Sequence, residues 1–135
     1  MRMRRKPYAR PELAACPFFI DYPPAHIGHW HELFPQKQPI WLELGCGKGG
    51  FISQLAVRNP HINFLGIDIK SEVLVVAKRK AEAAYAEAGR PVDNLLLMSQ
   101  QIEIIDQTIS PSDVVDRIYI NFCNPWIKPT QKKKR

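Results

Sequence analysis

The residues best suited to chemistry are concentrated in Ile40-Trp41-Leu42-Glu43-Leu44-Gly45-Cys46-Gly47-Lys48-Gly49-Gly50-Phe51. A short apolar run carries a carboxylate, breaks into four glycines and restarts as an apolar-periodic segment. That is the pattern of a buried strand, a tight loop and a helix opening. Glycine lets such a loop take positive φ and bring backbone against a ligand with no Cβ between them. The N–H groups of the opening helix turn face the same ligand. The stretch reads as a loop for a nucleotide-type cofactor.

Two cofactors fit the spacing. Gly45, Gly47 and Gly50 spell G-x-G-x-x-G, and Asp68 follows at about the offset at which a dinucleotide fold places its ribose-binding acid. That would make the chain an NAD(P)-dependent oxidoreductase. Glu43 argues against it, because a carboxylate at the strand's carboxyl end would face a pyrophosphate laid over the loop. The same carboxylate suits S-adenosylmethionine, which has an ammonium, a sulfonium and a ribose but no phosphate. Glu43 near the methionine end, Gly45, Gly47 and Gly49 along the loop, and Asp68 on the ribose hydroxyls form that cofactor site. A bare strand–helix turn would need fewer glycines.

A second informative stretch is Asn121-Phe122-Cys123-Asn124-Pro125-Trp126. An Asn-Pro-aromatic at a strand end puts a rigid polar edge and a flat ring beside the cofactor's reactive end. Trp126 could stack on a nucleobase while Asn124 hydrogen-bonds its edge.

The elements that must position these groups follow from periodicity. Residues 7–39 hold seven of the twelve prolines, so only short helices fit there, at 11–15 and 26–33. His26, His29 and His31 have no recognisable ligand spacing with Cys16 or Asp21; no metal site is expected, and these rings read as part of a cap over the cleft. Trp30, Phe18 and Phe19 read as packing residues. From residue 40 the texture alternates. Strands are expected at 40–44, 63–67, 94–98 and 117–122, with helices at 48–58, 71–88 and 103–109. Ser71 is expected to cap the long helix and Gly89 to end it, with Lys78-Arg79-Lys80 on a solvated face. Such alternation argues for a parallel, helix-covered sheet whose ligands sit at the strands' carboxyl ends, where Glu43, the glycine loop, Asp68, Gln101 and Asn124 all fall.

Length bounds this to one domain of 135 residues. It divides into a Pro-rich basic extension (1–39), a cofactor-binding core (40–126) and a basic tail (127–135). No run of about 18 apolar residues exists, so no membrane span is expected. Three cysteines without C-x-x-C spacing suggest a reduced, cytoplasmic setting. Residues 1–10 and 128–135 each carry five basic groups and no acid, while residues 11–127 hold nine basic and thirteen acidic groups. The whole excess of +6 therefore lies in the two ends, which suggests a polyanion gripped by its phosphates.

In these stretches the chain resembles the bacterial tRNA (guanine-N7)-methyltransferase family. The resemblance rests on M-R-M-R-R-K-P-Y-A, Gly28-x-Trp30, P-I-W-L-E-L-G-C-G-K-G-G-F, N-P-H-I-N-F-L-G-I-D and R-I-Y-I-N-F-C-N-P-W, in matching order over nearly the full chain. It implies an α/β, Rossmann-like class I methyltransferase fold. It also implies transfer of a methyl group from S-adenosylmethionine to N7 of a guanine in tRNA. By the same resemblance, Glu43 and Asp68 match the cofactor-binding acids, and Gln101 matches a further cofactor position, usually Asp or Glu. Asn124 matches the residue before Pro-Trp, often Asp, at the catalytic and cofactor-facing position. Lys128 matches a substrate-contacting Lys, and Ile127 replaces a Pro. The family continues through further strands, so the chain resembles its N-terminal portion; an exposed sheet edge and self-association are expected. Two rivals remain: an exocyclic-amine nucleic-acid methyltransferase, which Asn124-Pro125-Trp126-Ile127 also suggests, and a non-catalytic RNA-binding fragment.

Overall fold

Short runs of Val, Ile, Leu and Phe make strands that are buried on both faces when they pair in parallel. The computed structural model describes residues 6–120 and joins five strands, the last of them largely exposed. They are β1 (Phe19–Ile20), β2 (Ile40–Leu44), β3 (Asn63–Asp68), β4 (Leu95–Ser99) and β5 (Val115–Ile120), in the order β1-β4-β3-β2-β5. Every pairing is parallel. The expected Rossmann-like sheet is present, and the expected strands at 40–44, 63–67 and 94–98 match β2, β3 and β4 to within a residue. The fourth begins two residues earlier than expected, and its expected end at 121–122 lies outside the described residues.

The helices are α1 (Ala9–Ala14), α2 (Gly50–Arg58) and α3 (Ser71–Ala88). Right-handed β2–α2–β3 and β3–α3–β4 crossovers run in the same direction, so α2 and α3 share one face and pack on each other. Gly66 in β3 makes this close approach possible. A Cβ there would lie 2.9 Å from both Ile52 Cδ1 of α2 and Leu97 Cδ2 of β4. Behind the contact, Asn94 ties four segments together. Its amide nitrogen reaches the carbonyls of Ala56, Asn59 and Ile62 at 3.0, 3.1 and 2.9 Å, and its oxygen accepts the Tyr85 hydroxyl.

The chain then reverses direction across the sheet. From β4 it passes through two 3₁₀ segments, Ile102–Gln107 and Pro111–Asp113, to β5 on the far side of β2. This return is fastened to the Gly28–Leu33 segment by one buried carboxylate. Asp113 accepts the N–H groups of Gly28 (2.8 Å), Trp30 (3.1 Å) and Ser110 (2.8 Å). Burial would raise its pKa, but those N–H groups from Ser110, Trp30 and Gly28 outweigh burial and hold it below the ordinary value.

Several expectations need correction. The first helix forms at Ala9–Ala14 rather than 11–15, and 26–33 is two 3₁₀ turns, Pro23–His26 and Trp30–Leu33, because the surrounding prolines leave no room for an α-helical ladder. The helix expected at 103–109 is likewise a 3₁₀ segment, Ile102–Gln107, broken at Ile104. Ser71 is the first residue inside α3, and no side chain caps that helix; Lys70 stands at the cap position. Gly89 does end it, in a left-handed conformation. Lys78 and Arg79 are not merely solvated: both bond Glu12 of α1, at 3.0 Å and 2.6 Å, and so pin α1 onto α3. Among the packing residues, Trp30 is fully buried and Phe18 nearly so.

Candidate cofactor-binding site

The strand order reverses between β2 and β5, which run parallel, so the crevice of this sheet opens at their carboxyl ends. β2 delivers Glu43 to that point. It pairs with Gly66 on one side and Tyr119 on the other, and it is only 2% exposed. Burial strengthens any interaction its carboxylate makes with a cation. An aromatic row flanks it on the outer side. Trp41 packs against Phe64 and Tyr119, Phe51 lies edge-on to Tyr119, and Arg117 stacks over Trp41 at 4.6 Å. Phe51 is exposed and belongs to this row, while Ile52 and Ala56 of the same helix are buried.

The glycine loop is held from within. Gly45 and Cys46 both donate to the Ile67 carbonyl at 2.8 and 2.9 Å, Gly47 donates to Asp68 Oδ2 at 2.9 Å, and Gly49 donates to the Cys46 carbonyl at 3.0 Å. Four N–H groups of the loop are therefore committed. Asp68, at the end of β3, also accepts the N–H of Ile69 through Oδ1 at 2.7 Å. Its carboxylate thus shapes the loop and still has lone pairs for hydroxyl donors. The Cys46 thiol marks the centre of the arrangement. Burial pushes its pKa well up, and the charges of Asp68 and Glu43 push the same way. Two carboxylates and an inert thiol lie together under the loop.

The three predicted loop glycines differ in what they do. Gly45 (φ 78°) starts the turn. Gly47 (φ 56°) has no atom within 4 Å of where its Cβ would be, so the space above the loop is open there. Gly49 (φ 79°) is a packing glycine: its Cβ would come within 2.6 Å of Ala77 Cβ and 2.7 Å of Ala77 Cα in α3.

These features test which cofactor fits. A diphosphate over residues 45–49 would meet Glu43 and Asp68 and find four loop donors already used. An ammonium, a sulfonium and a ribose would meet acceptors. The residues present fit S-adenosylmethionine.

Gln101 stands exposed at the same edge, following Gln100, whose N–H donates to the Asp68 carbonyl at 2.9 Å. Glu43, Gly45, Gly47 and Asp68 are thus brought together, with Gln101 beside them. Asn124, Trp126 and Lys128 lie outside the described residues. The histidines are placed elsewhere. His29 pairs with Glu32 at 3.0 Å and His26 lies against Trp30, in the segment that Asp113 holds at the amino end of β5 rather than over the crevice. Sequence reasoning missed a cavity of about 850 Å³ at the carboxyl ends of β1, β3 and β4. Lys6, Arg10, Asp21, Ile69, Lys70 and Ser99 help to line it, from four separate segments, which no linear motif displays. Among the described residues no helix is long and apolar enough to cross a membrane.

Comparison with known proteins gives the following. Residues 37–135 match a family model described as "Putative methyltransferase". The tRNA (guanine-N(7)-)-methyltransferase of Ruminiclostridium cellulolyticum is 58% identical over 136 residues, and that of Clostridium beijerinckii is 56% identical over 135. Each alignment covers 100% of this chain, which spans 58% and 62% of those relatives' lengths. Among solved structures, an antibiotic-related methyltransferase superposes with a TM-score of 0.50 at 17% identity, over 72% of this chain and 47% of that one. That likeness speaks to the fold.

Proposed function

Because the chain belongs to the methyltransferase family whose model spans residues 37–135, we propose that it binds S-adenosylmethionine and serves in methyl transfer to N7 of a guanine in tRNA. The observation that carries the cofactor half is the pair of carboxylates, Glu43 and Asp68, set around a glycine loop in which the N–H groups of Gly45, Cys46, Gly47 and Gly49 are already bonded. The relatives' names support the substrate half.

S-adenosylmethionine, when bound, supplies an electrophilic methyl group on a sulfonium. Glu43 attracts the cationic amino-acid end, and its burial makes that attraction stronger than in water. Asp68 receives the ribose hydroxyls, with Gln101 at the adenine side, and Gly47 leaves the space through which the cofactor passes. Guanine N7 presents a lone pair and has no proton to lose, so this chain's residues would need only to align it. Trp126 stacks on the base, Asn124 directs a dipole at the charge that develops on it, and Lys128 meets phosphate. The basic ends, with Lys6 and Arg10 on the rim of the second cavity, add sequence-independent phosphate contacts. On this reading tRNA is the partner and the cytoplasm the setting.

The test is product analysis after incubation with unmodified tRNA and methyl-labelled S-adenosylmethionine. The reading predicts N7-methylguanine. N6-methyladenine would move the chain to the exocyclic-amine enzymes. Salt-sensitive tRNA binding with no transferred label would make it an RNA-binding module.

A further inference from the structure

Behind the proposed cofactor edge runs a continuous line of buried hydrogen bonds that no motif announces. The Asp68 carbonyl accepts the Gln100 N–H at 2.9 Å. The Gln100 side-chain oxygen accepts the Thr108 hydroxyl at 2.7 Å. The Thr108 carbonyl accepts the Trp30 indole N–H at 2.8 Å, and the Trp30 backbone N–H donates to Asp113 at 3.1 Å. Thr108 and Trp30 are 0% exposed, Asp113 1% and Gln100 8%. The links from the Gln100 side chain to Asp113 are shielded from water, so breaking one leaves a polar group without solvent to replace its partner.

Thr108 is the joint of this line. It belongs to the return between β4 and β5, yet its hydroxyl is what holds Gln100, the residue between the β4 terminus and Gln101. Gln100 in turn fixes the main chain of Asp68, whose carboxylate shapes the glycine loop. Nothing else on the return bonds the Gln100 side chain among the described residues. We propose that Thr108 is a positioning residue for the methyl-donor site: its hydroxyl sets Gln100, and through Gln100 the placement of Asp68 and Gln101. This rests on the reading that Asp68 and Gln101 face S-adenosylmethionine.

The experiment is calorimetric titration of the full chain with S-adenosylhomocysteine, alongside thermal unfolding, for four variants. Thr108→Val keeps shape but removes the hydroxyl, and its affinity should fall about tenfold, the equivalent of one buried hydrogen bond. Thr108→Ser keeps the hydroxyl and should bind within about twofold of the unsubstituted chain. Gln100→Met with Thr108→Val removes both partners and should regain most of the lost melting temperature without regaining affinity. Gln100→Met alone should bind as weakly as Thr108→Val. Folded Thr108→Val that binds like the unsubstituted chain would overturn the proposal. So would recovery of affinity together with stability in the double variant, since Thr108 would then be a core residue only. Failure of the unsubstituted chain to bind would instead overturn the cofactor reading, and this proposal with it.

Discussion

Asp68 Oδ2 accepts the N–H of Gly47 at 2.9 Å, across the mouth of the β2–α2 turn. The acid expected to hold a ribose therefore also sets the shape of the loop beside it. Replacement by Asn puts an amide N–H₂ against N–H groups that the carboxylate now accepts, that of Gly47 at Oδ2 or those of Ile69 and Lys70 at Oδ1. Asp68→Asn should lose about 1–2 kcal/mol of stability in urea denaturation. It should also lose affinity for S-adenosylhomocysteine. Unchanged stability with lost affinity would mean that the carboxylate serves the ligand alone.

The loop glycines should separate by phenotype. Gly47→Ala places a Cβ in open space at φ 56°, so it should cost only about 1 kcal/mol of backbone strain while reducing cofactor binding. Gly49→Ala drives a Cβ into Ala77 and should cost about 3 kcal/mol by forcing α2 from α3. Denaturation midpoints and calorimetry on the two variants check this contrast.

That contrast also marks how far the sequence could be read. The spacing of Gly45, Gly47, Gly49 and Gly50 located the turn, but whether a glycine yields room to a ligand or to Ala77 depends on α3, which lies elsewhere in the chain. The apolar runs at 40–44 and 63–67 were legible because strands buried on both faces need no polar alternation. Phe19–Ile20 was not, since two residues among prolines become a strand only through pairing with Leu97 and Met98. Nothing in the local sequence singles out Asp113. Its burial depends on donors at Gly28 and Trp30, more than 80 residues away.

Asp113 should give the fold an acid-sensitive clasp. Its pKa is lowered in the folded state, since the N–H groups around it outweigh burial. The stability it contributes is thus present above the unfolded value of about 3.9 and is lost as pH falls through the lower folded value. Asp113→Asn should cost about 2 kcal/mol at pH 7, and the gap to the unsubstituted chain should narrow in acid. Urea denaturation at pH 7 and pH 3 measures both arms.

The ion pairs of Glu12 tie α1 to α3, with Arg79 first and then Lys78 lowering its pKa to about 2. Its contribution is present above the ordinary glutamate range and is lost as pH falls through about 2. Glu12→Gln should speed amide exchange in α1 while leaving β2 and β3 protected. Uniform exchange throughout the chain would show that α1 does not depend on this pair.

β5 lies at the edge of the sheet, with Ile118 54% and Ile120 57% exposed. An apolar edge strand invites pairing with another chain. Sedimentation should show concentration-dependent association, relieved by Ile118→Lys. Association unaffected by that change would assign it to another surface.

The central claim is that two acids around an internally bonded glycine loop choose a positively charged methyl donor over a phosphorylated dinucleotide. Calorimetry of the chain against S-adenosylhomocysteine and NAD, repeated with Glu43→Gln, tests it most directly. The account predicts one-to-one binding of S-adenosylhomocysteine, weakened by the substitution, and no binding of NAD. Binding of NAD without S-adenosylhomocysteine, or affinity indifferent to Glu43, would contradict it.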